Sequence, residues 1–60
     1  MSFTSLCVTP EGVVLFQEHA RRLAPDGGPA LAAYRRFAEE ARPGVYRLWV
    51  ESGALRVEPR

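Results

Sequence analysis

Trp49, with Arg47 shortly before it and Arg56 shortly after, is the densest grouping of binding-type side chains in the chain. If residues 45–58 form two strands joined by a tight turn, alternation puts all three on one face. An indole beside guanidinium groups can anchor a protein interface, where Trp and Arg are enriched. The same trio can stack a nucleotide base, as single-strand binders do. Strand pairing would also set Arg56 beside the indole, in a cation–π contact worth roughly 0.5–1 kcal/mol when exposed.

Residues suited to catalysis are sparser. Cys7 is the lone thiol and His19 the lone imidazole. Together they could make an activated thiolate, but their spacing does not bring them together and no third group orients them. Cys7 is expected to be a buried or semi-exposed inert thiol, as small strand cysteines commonly are. His19, between Glu18 and Arg21-Arg22 on a short helix, is expected to face solvent. Glu39 and Glu40 are helix neighbours pointing about 100° apart, so they do not converge as an acid–base pair. One Cys and one His fall short of the four-ligand zinc patterns. Gly27-Gly28 lacks the spacing and the lysine of a phosphate loop. No catalytic residue, metal ligand or cofactor is assigned, and an enzyme is not expected.

The arginines could form a phosphate-binding face. Every basic side chain but His19 is arginine, and Lys, Asn and Ile are absent, a bias that matches a GC-rich, bacterial-like composition. Carboxylates lie one helical turn from most of the helical arginines: Glu18 to Arg22, Arg35 to Glu39, and Arg36 to Glu40. Eight cations against seven anions leave a net charge of +1. A strong sequence-independent affinity for nucleic acid is therefore not expected.

Sixty residues allow one domain, 1–60. So short a chain buries only about 60% of its unfolded surface, and disulfides, metal or association usually supply the remainder. A single cysteine cannot bridge within the chain, and a lone thiol suits a reducing compartment. With a start that has no basic segment followed by a long apolar run, neither a signal peptide nor a membrane span is expected. The expectation is cytoplasmic, with association as the remaining aid.

The elements that must carry these side chains can be read in order. Phe3 to Val8 alternates as a strand. Thr9-Pro10-Glu11-Gly12 has turn chemistry, and Val13-Val14-Leu15-Phe16 would return as a second strand. The competing reading makes Thr9 an N-cap with Pro10 at the first helical position, but Gly12 and the Val13-Val14 pair oppose it. Gln17 to Ala24 is helical on either reading. Pro25-Asp26-Gly27-Gly28-Pro29 makes a corner or kink. Pro29 to Arg42 is the firmest helix, with Ala30, Ala33, Tyr34, Phe37 and Ala41 on one face and Pro43-Gly44 ending it. The last hairpin turns at Glu51-Ser52-Gly53-Ala54, and Pro59 ends its second strand. Tyr46, Leu48, Val50, Leu55 and Val57 form the wall on which the helical stripe should lie.

The expected architecture is α+β: a small antiparallel sheet of two hairpins with one kinked helical segment on one face, in the order ββαββ, with βααββ as the alternative. Apolar residues on the far face (Val13 or Val14, Trp49, Phe3) then have nothing to cover them. The expected function is a non-enzymatic protein-interaction module, self-associating as a homodimer or serving as an accessory subunit. Its interface is assigned to Trp49, Arg47, Arg56, Val14 and Phe16. The alternative is nucleic-acid binding through Trp49, Arg47 and Arg56.

Overall fold

The computed structural model describes residues 3–60. Its elements run β1 (Phe3–Thr9), β2 (Gly12–Val13), α1 (Phe16–Leu23), α2 (Gly28–Glu40), β3 (Gly44–Glu51) and β4 (Ala54–Pro59). The strands form one antiparallel sheet in the order β2-β1-β3-β4. Two hairpins, β1–β2 and β3–β4, are therefore joined through a long-range β1–β3 pair. Both helices pack on one side of the sheet, so the class is α+β as expected.

The preferred order, a hairpin, a kinked helical segment and a second hairpin, is the one observed. The kink divides the segment into α1 and α2, and the alternative with residues 9–24 entirely helical is not found. Residues 24–27 are a full corner between two helices, with Gly28 and Pro29 already in the first turn of α2. Gly27 enters α2 at φ 75°, ψ −136°, a combination that favours glycine. The returning strand is also shorter than Val13–Phe16. Leu15 adopts a left-handed conformation, φ 57° and ψ 45°, and α1 begins at the next residue. The strand's alternation is broken at that point. Pro59, expected to end β4, is its last paired residue, opposite Tyr46.

The core forms where alternation in the sheet meets the helical stripe. Thr4, Leu6 and Val8 of β1 and Leu48 of β3 are buried, while Phe3, Ser5 and Cys7 are exposed. Ala20 and Leu23 of α1 and Tyr34 of α2 close over them, with Phe16, Phe37, Tyr46, Val50 and Leu55 packed around this cluster. Tyr34 is the central piece of α2 at 0% exposure. Its ring stacks on Phe16 at 4.8 Å between centroids. Its hydroxyl donates to the Phe16 carbonyl at 3.0 Å, which ties the start of α1 to the middle of α2. Burial pushes the Tyr34 hydroxyl up to about 12.

At the last hairpin, Ser52 and Gly53 both have positive φ, 52° and 78°. Those values make a type I′ turn, whose twist matches that of the flanking strands. The turn fixes the register that follows: Glu51 opposite Ala54, Trp49 opposite Arg56, and Arg47 opposite Glu58.

Candidate functional site

The face of the sheet away from the helices is open. Alternation along β3 sends Val45, Arg47, Trp49 and Glu51 to it, and pairing adds Phe3, Ser5 and Cys7 from β1 with Arg56 and Glu58 from β4. Three cross-strand rows result. Phe3, Trp49 and Arg56 make the first, Ser5, Arg47 and Glu58 the second, and Cys7 with Val45 the third. Arg60 reaches back over the middle row, its guanidinium donating to the Ser5 hydroxyl at 3.1 Å.

Trp49, Arg47 and Arg56 thus share one face, as alternation requires, and a shallow hollow is lined by Phe3, Arg47, Trp49 and Glu58. The partners within this group differ from expectation. The cation–π contact joins Arg47 to Phe3, with the guanidinium carbon 4.5 Å from the ring centroid. The Trp49 indole N–H donates to a Glu51 carboxylate oxygen at 3.2 Å, and the same oxygen lies 4.0 Å from Arg56 Nε. Glu51 therefore holds both neighbours from the end of the strand. Trp49 is half-buried, Phe3 is 54% exposed and Val45 46%. Among the described residues, Arg47 Nε is shut off from solvent without a hydrogen-bond partner.

The remaining two assigned interface residues part company. Val14 is 46% exposed, and its N–H donates to the Cys7 carbonyl at 2.9 Å, so it extends the Cys7–Val45 row of the open face. Phe16 lies on the other side of the sheet, stacked on Tyr34 in the core. Strict alternation would have kept Phe16 with Val14. The left-handed turn at Leu15 carries it to the helix layer instead. Phe3 was legible as an uncovered apolar residue. That it would sit across from Trp49 required knowing that β1 pairs with β3.

His19 is half-buried, contrary to the solvent-facing expectation. Its Nδ1 lies 2.6 Å from the hydroxyl of Thr4, which is 2% exposed. Burial, then the nearby Arg22 guanidinium, lowers the His19 pKa from its ordinary value, and Glu18 acts in the opposite sense. The Thr4 hydroxyl is thus the hydrogen-bond partner of His19 Nδ1. Cys7 itself is exposed on the open face, contrary to the buried or semi-exposed expectation, because alternation along β1 gives the core side to Leu6 and Val8. Among the described residues no group of three His, Cys, Asp or Glu side chains could hold a metal ion, and no helix is long and apolar enough to cross a membrane.

The helical charge pairs also rearrange. Glu18 contacts Arg21 at 3.3 Å, three residues on, in place of Arg22. Among the described residues, the other ion pair within 4.0 Å is Arg56 with Glu51. Arg35, Arg36, Glu39 and Glu40 are all exposed.

Compared with protein-family models, curated proteins and solved structures, the chain has no significant match. The fold and the open face define it as a small α+β domain with a helix layer on one side and an uncovered sheet surface on the other.

Proposed function

We infer that this chain is a non-enzymatic protein-interaction module that self-associates as a homodimer or joins a larger assembly as an accessory subunit. The observation that carries this reading is the one-sided layering. Among the described residues, seven apolar ones are buried in the core, while Phe3, Val14, Leu15, Val45 and Val57 remain at least 40% exposed. In a chain of this size, association is the available route to burying more apolar surface. The open face has the composition of a protein contact: aromatics and arginines at its centre, with carboxylates interspersed. Light scattering coupled to size-exclusion chromatography tests it. A dimer is expected across micromolar concentrations, and a well-folded monomer throughout that range would overturn self-association.

A second reading is nucleic-acid binding on the same face, favoured by Phe3 and Trp49 lying side by side next to Arg47. Stacked bases use such a platform. Against it, Glu51 and Glu58 stand among the arginines and weaken attraction for phosphate. Quenching of Trp49 fluorescence by a short single strand, weakening steeply with added salt, would support this reading. No quenching at low salt would remove it.

A further inference from the structure

β4 is the last strand of the sheet order, with no strand beyond it. Which of its backbone groups are free follows from the turn. A two-residue hairpin makes its flanking pair, Glu51 with Ala54, hydrogen-bonded, and bonded pairs then alternate along the ladder. Trp49 with Arg56 and Arg47 with Glu58 are therefore bonded pairs. The Arg60 N–H donating to the Val45 carbonyl at 2.8 Å continues the same alternation. Leu55 and Val57, in the non-bonded positions, point their N–H and C=O groups away from β3. Pro59 points out only a carbonyl. The outer edge is thus a short template, and no proline blocks it between Ala54 and Glu58.

The side chains on this edge select what can pair with it. Arg56 and Glu58 alternate on the open face with Val57 between them on the other side. In an antiparallel pair about a two-fold axis, centring on Arg56 would face arginine with arginine, and centring on Glu58 would face carboxylate with carboxylate. Like charges directly opposite are unfavourable. Centring on Val57 removes both conflicts: Arg56 meets the partner's Glu58, and the symmetry repeats the contact. Val57 then exchanges both backbone hydrogen bonds with the partner's Val57, and the Leu55 N–H reaches the carbonyl of the partner's Pro59. The two Val57 side chains, each 40% exposed in one copy, come together at the axis.

We propose that two copies of this chain join through β4, antiparallel and centred on Val57, with Arg56 of each copy paired to Glu58 of the other. Two four-stranded sheets become one continuous sheet. This rests on the self-association inferred above and locates it at the β4 edge, which leaves the open face itself uncovered. It also has a functional consequence. The row Phe3–Trp49–Arg56 of one copy runs on into the partner's Glu58 and the partner's Arg47, so the two open faces merge into a single two-fold-symmetric surface. An edge left free would be a site for uncontrolled pairing, and the charge pattern favours the Val57-centred register over those centred on Arg56 or Glu58.

Val57→Pro is the direct test. The Val57 N–H does not bond to β3, so its loss leaves the hairpin intact, and proline is tolerated on edge strands. By sedimentation velocity, wild-type protein should be dimeric and Val57→Pro monomeric, with unchanged far-UV circular dichroism. Arg56→Glu and Glu58→Arg, each setting like charges opposite one another, should raise the dimer Kd by roughly tenfold or more. The double exchange Arg56→Glu/Glu58→Arg should recover most of that loss, which decides the matter even if the proline variant fails to fold. A Val57→Pro protein that remains dimeric, or charge variants that leave Kd unchanged, would overturn the β4 pairing while self-association stands. A wild-type monomer would overturn both.

Discussion

Arg47 lies over the ring of Phe3 at 4.5 Å, although β1 pairs Phe3 with Trp49 and Arg47 with Ser5. The contact is diagonal across the strand pair, within reach of a long side chain. It places a positive charge on an exposed aromatic face and leaves the Trp49 indole to Glu51. The open face is thus organised by two separate contacts, Arg47 with Phe3 and Glu51 with both Trp49 and Arg56.

A double-mutant cycle on Phe3→Leu and Arg47→Met should measure the first of these. Both replacements keep an apolar body in place and remove only the charge–ring attraction. A coupling of about 0.5–1 kcal/mol is expected in urea unfolding, because the contact is partly exposed. Additive single effects would show that the guanidinium rests on the ring without stabilising it.

Much of this surface was legible in the sequence, and the part that was not has a physical cause. Alternation within β3 and β4 depends on neighbours in the chain, so Trp49, Arg47 and Arg56 could be put on one face. The same holds for the wall of Tyr46, Leu48, Val50, Leu55 and Val57, and for the α2 stripe around Tyr34. The identity of the strand beside β3 is a long-range fact. Local pattern therefore could not place Phe3 next to Trp49, nor give Arg47 its ring. Phe16 was misplaced for a different reason. One left-handed residue, Leu15, breaks the period of two, and leucine is a poor advertisement for that conformation.

His19 supplies a pH dependence whose sign follows from its burial. Burial, and after it the Arg22 guanidinium, disfavours the charged imidazolium, so the folded state favours the neutral form. With the folded pKa below the unfolded value of 6.5, the unfolded chain binds the proton more readily. Stability should be fully present above about pH 6.5 and decline as pH falls through the folded pKa. Urea midpoints measured between pH 7.5 and 5 should trace this decline. Thr4→Val should lower stability at neutral pH by about 1 kcal/mol, the ordinary net worth of a hydrogen bond. His19→Gln should flatten this part of the pH profile. An unchanged slope in His19→Gln would assign the acid sensitivity to other groups.

Leu15 carries the strain that lets the chain pass from β2 to α1. It is 65% exposed, holds φ 57°, and heads α1 with no side-chain cap. The left-handed conformation costs a side chain with a Cβ about 1–2 kcal/mol. Glycine escapes that cost but adds entropy to the unfolded chain, which offsets up to about 1 kcal/mol. Leu15→Gly should therefore stabilise the protein by about 0.5–1 kcal/mol, an unusual sign for a leucine replacement. Leu15→Val, with a β-branched side chain in the same conformation, should destabilise it. Thermal unfolding of the two variants gives the comparison. Both variants falling below wild type would mean that the leucine side chain contributes more packing than its exposure indicates, and that the turn is held by contact and not by backbone preference.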